Sequence, residues 1–242
     1  SSDVCSSDRG AGASKEIIDL LCQYAKESLN SFTLKGSTPL HWAVGDPPPK
    51  DCSDTINALF HNGADANTYS EGSIPALVVA MVSSNDTHSK LLIENGADRG
   101  IILSGGVTVY HLAADLNLKN SLAAMLEADA EKPKGEDTTS EKCMRTKNAK
   151  DETPIDIAAQ RDNFECFKLL SGEQDDDKAK EAMTELQKAW VEKKKDEPKE
   201  STDNTSTAVA DDEEEDASSV AASSRAKAAS SALRPRVRYC SN

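Results

Sequence analysis

An all-α solenoid of stacked helix-turn-helix units is the architecture this sequence predicts, and three observations carry it. Asn62-Gly63-Ala64-Asp65 and Asn95-Gly96-Ala97-Asp98 are identical and stand 33 positions apart, with a worn third copy in Leu126-Glu127-Ala128-Asp129-Ala130. A fixed period of this length marks helical repeats, each of which needs a neighbour to cover its apolar face. Helix openings also recur: Thr38-Pro39-Leu40-His41-Trp42-Ala43, Ile74-Pro75-Ala76-Leu77, Thr108-Val109-Tyr110-His111-Leu112-Ala113-Ala114 and Thr153-Pro154-Ile155-Asp156-Ile157-Ala158-Ala159. Thr is a good N-cap, Pro in the first helical position loses no needed donor, and Ala lets helices approach closely. Opening and terminus keep a regular distance: 21 positions from Thr108 to Asp129, and 25 from Thr38 to Gly63. Pro47-Pro48-Pro49-Lys50 accounts for the excess as an insertion between the two helices of its repeat, where a proline run does no harm to the stack. A longer insertion, residues 131–150, swells the turn before the last repeat.

These motifs resemble the ankyrin-repeat family, and residues 14–172 are assigned to it as one partial and four complete repeats. The wording of Thr38–Ala43 and of Ser73-Ile74-Pro75-Ala76-Leu77-Val78-Val79-Ala80 is also similar to plant ankyrin proteins that carry a tetratricopeptide domain after the repeats. Residues 1–13 form a leader without helix or strand pattern, in which Ser2-Asp3-Val4-Cys5-Ser6-Ser7-Asp8 resembles a sequencing adapter translated in one frame. After it, Glu16–Tyr24 reads as one helix of the partial repeat, leaving Ile17, Ile18, Leu20 and Leu21 with an unfilled neighbour.

Residues 173–196 are an acidic linker and a helix, Lys178–Lys195, whose apolar stripe is Met183, Leu186 and Trp190. The helix is similar to the first helix of a tetratricopeptide domain, but Pro198 ends the pattern, and one helix cannot form a peptide-clamping groove. Capping of the last repeat is the role expected, with an independent partner-binding helix as the alternative. Residues 197–242 are Ser-, Ala- and acid-rich and lack the apolar content that offsets chain entropy, so disorder is expected there. Arg234-Pro235-Arg236-Val237-Arg238 closes the chain with a basic run, suited to an intramolecular contact with the acidic block Asp211–Asp216 or to a targeting role.

Composition excludes several classes. The 242 residues carry a net charge of −14, which disfavours nucleic acid and anionic membrane as partners. No apolar run approaches the roughly 20 residues of a membrane-spanning helix. The cysteines (5, 22, 52, 143, 166 and 240) form no Cys-x-x-Cys pair. Ordinary thiols in a reducing compartment are the plain reading, cytoplasmic with the nucleus as an alternative. No cofactor or metal is expected. His41 and His111 sit in the repeat motif, where the family resemblance implies that they tie turns together. His61 precedes a helix end, and no Cys or His stands at ligand spacing from His88. Ser104-Gly105-Gly106 lacks the Lys-Ser/Thr of a phosphate loop. The carboxylates lie in tails and linkers, so no enzyme is expected.

The resemblance implies protein binding on the concave face, by turn tips and first-helix ends, in a monomer whose partner the sequence does not name. The tips fall at Leu34-Lys35, Ser70-Glu71, Ser104-Gly105 and Ala149-Lys150; the helix ends at Gly45-Asp46, Asp115-Leu116 and Gln160-Arg161. Trp42 either anchors a partner or packs between adjacent first helices. Ile101-Ile102-Leu103 is either a contact patch or tucked under the 131–150 insertion, which favours the tuck. The function expected is a scaffold or regulatory adaptor. A truncated cochaperone of the ankyrin–tetratricopeptide type is the alternative, and an acidic inhibitor of a basic target, sensitive to salt, is a third reading.

Overall fold

A computed structural model describes residues 19–20, 24, 26–33, 36–45, 52–69, 73–130, 138–196 and 238–239. Its helices are α1 (Pro39–Val44), α2 (Ser53–His61), α3 (Ala76–Val82), α4 (Asp86–Glu94), α5 (Val109–Asp115), α6 (Lys119–Ala130), α7 (Thr139–Arg145), α8 (Pro154–Gln160), α9 (Phe164–Ser171) and α10 (Asp176–Asp196). Two short strands, β1 (Ile101–Ile102) and β2 (Arg238–Tyr239), and 3-10 turns at Lys26–Ser28 and Ser104–Gly106 complete the described elements.

The helices pair as α1/α2, α3/α4, α5/α6 and α8/α9, and the pairs stack in two rows. First helices pack in the order α1, α3, α5, α8, and second helices in the order α2, α4, α6, α9. This is the helix-turn-helix solenoid that the 33-residue period predicts. Its core is continuous, from Leu40 and Val44 through Leu77, Met81, Leu92 and Tyr110 to Leu122, Met125 and Phe167. None of these layers is thick enough to bury its own apolar side, so each depends on the next.

Local chemistry fixes where each helix begins and ends. Thr38, Thr108 and Thr153 are N-caps with reciprocal capping boxes to His41, His111 and Asp156. In the second layer the register slips by one from the sequence reading. Pro75 is itself the N-cap, so Leu77 stands where Leu40 does and Val78 takes the place of His41. The turns between paired helices close through left-handed residues at equivalent positions, Ser84, Asn117 and Asp162. Gly63 and Gly96, also at positive φ, follow the ends of α2 and α4. Where the worn third copy has Asp129 instead of glycine, α6 does not stop but runs on to Ala130.

Side chains bind the layers to one another. Asn30 Nδ2 donates to the Gly63 carbonyl and Asn30 Oδ1 accepts from the Asp65 amide. Asn67 repeats both contacts one layer on, with Gly96 and Asp98. Asp86, in the first turn of α4, receives the amides of Asn120 and Ser121 and the Ser121 hydroxyl, at 3.0, 2.8 and 2.6 Å. A carboxylate from one layer thus caps the second helix of the next, where the helix dipole favours negative charge.

The Pro47–Lys50 run lies outside the described residues; α1 and α2, which flank it in sequence, still stack on α3 and α4. The longer insertion contributes α7, which packs on α5 and α6. It is pinned by a buried polar cluster. Arg99 Nη2 lies 2.8 Å from Asp129 Oδ1, and Arg99 Nη1 donates to the Met125 carbonyl. Asp129 Oδ2 accepts from the Ser140 amide, and the Ser140 hydroxyl meets that of Tyr110. Ile101 and Leu103 are buried and Ile102 half-buried, with Cys143 of α7 against the Arg99 carbonyl. The three residues are thus not an exposed contact patch, and Gly100 just before them lies against Thr139 of α7.

Helix α10 lies across α8 and α9. Ala179 and Met183 are buried, Gln187 Nε2 donates to the Ala159 carbonyl, and Trp190 is half-buried. The stripe differs from the sequence reading: Ala179, Met183, Gln187 and Trp190 face the stack, whereas Leu186 is 37% exposed. Of the helix expected at Glu16–Tyr24, Asp19, Leu20 and Tyr24 are described and helical. Asp19 accepts from Asn62 Nδ2 at 2.8 Å, while Leu20 and Tyr24 are exposed. Ile17, Ile18 and Leu21 lie outside the described residues, as do most of residues 197–242. Arg238–Tyr239, expected to be disordered, instead pairs antiparallel with Ile101–Ile102.

Candidate functional site

The first helices bring equivalent residues into one row. Four positions after each N-cap stand Trp42, Val79, Leu112 and Ile157, and because α1, α3, α5 and α8 pack in sequence, these side chains follow one another along the stack. Leu112 is buried, Val79 and Ile157 are half-buried, and Trp42 is 36% exposed. Trp42 belongs to the amphipathic class that packs on one side and presents the other to solvent.

At the ends of the first helices, two expected residues meet directly. Arg161 Nε lies 2.5 Å from Asp115 Oδ1, and both side chains are partly solvent-exposed. Asn163, the N-cap of α9, donates to the Ala114 carbonyl at 2.6 Å and so fixes the C-terminus of α5 beside this pair. Leu116 is half-buried against the core. Gln160 buries its amide nitrogen, which finds no hydrogen-bond partner among the described residues. That donor is turned away from the surface.

The turn tips of the third and fourth layers are joined. The Ala149 amide donates to the Gly105 carbonyl at 2.6 Å. Gly105 and Gly106 both adopt φ of +75°, and a β-carbon on Gly106 would stand 2.8 Å from the Lys147 carbonyl oxygen. Close approach of two backbones is what these glycines permit. Ser104 and Lys150 flank the junction, both exposed. Leu34, Lys35, Asp46, Ser70 and Glu71, also expected at the site, lie outside the described residues.

The histidines serve the scaffold. The Thr38 amide donates to His41 Nδ1 at 3.2 Å, which leaves Nε2 as the protonated nitrogen, 2.9 Å from the Ile74 carbonyl. His111 repeats this with the Thr108 amide and the Glu152 carbonyl. Burial lowers the pKa of both below the ordinary value of 6.5, against the raising effect of these carbonyl bonds. His88 is buried at the start of α4, with Nδ1 2.9 Å from Asn85 Nδ2, and His61 is exposed in the last turn of α2. Among the described residues no group of three or more His, Cys, Asp or Glu is placed to hold a metal ion. Burial pushes the Cys166 thiol up to about 12, far from the range of a reactive thiolate.

Sequence reasoning missed the Arg99–Asp129–Ser140–Tyr110 cluster and the Asp86 clasp. Both join residues from different layers, and only the 33-residue offset between Asp86 and Lys119, each opening a second helix, hinted at the clasp.

The family model described as Ankyrin repeat matches residues 35–70. That span runs through the whole first layer, α1 and α2, and the match supports an ankyrin-repeat protein, a class of non-catalytic modules that bind other proteins. No curated protein gave a match. No described helix is long and apolar enough to cross a membrane.

Proposed function

We propose that this protein is a scaffold or regulatory adaptor that holds a protein partner along the row formed by its first helices and turn tips. The observation that carries the reading is Trp42. It is a large aromatic side chain, 36% exposed, at the register where Leu112 is buried, and it leads an apolar row flanked by charged helix ends. An exposed aromatic beside a rigid surface is the residue type that dominates interfaces, and the Asp115–Arg161 pair and Lys150 provide a polar rim. The buried Cys52, Cys143 and Cys166 are thiols and not disulfides, which supports action in a reducing compartment, the cytoplasm or nucleus.

The truncated-cochaperone reading receives no support from α10. Its apolar residues Ala179 and Met183 are spent on the last layer, where a tetratricopeptide helix would hold them for its own partner helix.

Affinity capture tests the proposal. The wild-type chain is compared with Trp42→Ala/Lys150→Glu, and with Leu186→Ala as a surface control on α10. Loss of the same protein from the first variant and not from the control is expected, with circular dichroism unchanged. Equal recovery by all three would remove the first-helix row from consideration.

A further inference from the structure

We infer that the outer edge of strand β1 is a strand-accepting site, held in the same molecule by the chain's own C-terminal segment around Arg238–Tyr239. The inference stands apart from the first-helix row, since it uses main-chain groups of the turn before α5.

The strand is built by its own repeat. Ile102 bridges antiparallel to Thr108, and the Leu103 amide donates to the Val107 carbonyl at 2.7 Å, so residues 101–108 close a tight hairpin. Ile101 and Leu103 are buried, which anchors the strand by its side chains. One edge of β1 faces Thr108. The other would stay open, and an open edge accepts any extended chain that meets it. Here it is taken: Ile101 pairs with Tyr239 and Ile102 with Arg238, antiparallel. This is recognition by strand addition, in which main-chain hydrogen bonds hold the guest and alternate side chains select it.

The guest segment is chemically unlike the rest of the chain. In a protein of net charge −14, Arg234-Pro235-Arg236-Val237-Arg238-Tyr239 is a basic run in which Val and Tyr, both strand-favouring, alternate with Arg. Arg238 and Tyr239 of this basic end meet the hairpin of residues 101–108. Forty-one residues separate Asp196 from Arg238. At about 3.3 Å per extended residue, that length is ample to cross layers spaced about 8–10 Å apart. A two-residue pairing is short, so an extended peptide of alternating Arg and β-branched or aromatic residues competes for the same edge. The C-terminal segment is then a tethered competitor that such a partner must displace.

The test uses the full chain. Arg238→Pro/Tyr239→Pro removes the amide N–H of both guest residues, including the one that faces β1, and amide hydrogen exchange is followed at Ile101, Ile102 and Leu103. Exchange at the guest-facing amide should rise at least tenfold in the variant, and the wild-type protection should not depend on protein concentration. A synthetic peptide of residues 234–242 with Cys240→Ser should bind the variant, restore the protection and bind the wild type at least tenfold more weakly. The same peptide with Val237→Pro, which keeps every arginine, should not bind. Unchanged exchange in the variant, no binding of the peptide up to its solubility limit, or equal binding of the two peptides would each overturn the inference. Protection that grows with protein concentration would also overturn it, by assigning the guest strand to another copy of the chain.

Discussion

His41 Nε2 lies 2.9 Å from the carbonyl oxygen of Ile74, so a side chain in the first layer satisfies a backbone group just ahead of the second layer's first helix. Its other nitrogen accepts from the Thr38 amide. The neutral ring uses both nitrogens, and a second ring proton would confront an N–H that already points at it.

Stability should therefore fall as the solution is acidified. His41 and His111 have folded pKa values below their ordinary 6.5. The unfolded chain then binds protons that the native state refuses, so the contribution is complete above about pH 6.5 and declines as pH drops through and below that value. The denaturant midpoint, measured from pH 7.5 to 5, should decrease, and His41→Gln should flatten part of the slope. A midpoint that rises on acidification over this window would contradict the assignment.

Asp129 should add a second loss at lower pH. Its carboxyl is held below 3.8: burial acts to raise it, and the Ser140 hydrogen bonds and the Arg99 guanidinium outweigh that effect. The stabilisation is present above the ordinary carboxylate value and disappears as pH falls through the lowered one. Removing one partner strands the other, so Arg99→Ala should cost about 3 kcal/mol. Arg99→Ala/Asp129→Ala should cost less than the sum of the single substitutions. Additive effects in urea unfolding would show that the two groups do not interact.

The capping helix separates two residues that look equivalent in the sequence. Met183→Ala should destabilise by about 2 kcal/mol, because Met183 is buried against the last layer. Leu186→Ala should change stability by no more than about 0.5 kcal/mol, as expected for an exposed position. Thermal melts of the two variants decide between this placement and the 183–186–190 stripe.

Gly106→Ala should loosen the junction of the third and fourth turn tips. The new β-carbon would meet the Lys147 carbonyl oxygen at 2.8 Å, and the backbone would hold a left-handed φ that alanine resists. Faster exchange of the Ala149 amide, which bonds the Gly105 carbonyl, is the expected signature.

The stack was legible in the sequence because a repeat writes the same physical need several times. Thr38, Thr108 and Thr153 announce helix starts, and Gly63 and Gly96 announce ends, so the period and the two insertions could be read from spacing alone. The register of α3 was misread by one because Ile74-Pro75 copies the Thr-Pro motif in letters, whereas Pro75 sits in the capping position itself. Leu186 was misplaced because a helix of 21 residues admits more than one apolar stripe, and the choice rests on the shape of α8 and α9. Of the site, mapping the repeat named Asp115 and Arg161 as helix ends and Gly105 and Ala149 as turn tips, but the contact between the first two and the bond between the second two join different layers and were not legible. The partnership of β1 with Arg238–Tyr239 had no periodic signal, since it joins two segments 137 positions apart that belong to no common unit.

Asp86, gripping the start of α6 with three hydrogen bonds, makes the seam between the second and third layers unlike the others. Parting those two layers would strip the first turn of α6 of its cap and leave a carboxylate without its donors, so the seam opens only at the expense of the helix behind it.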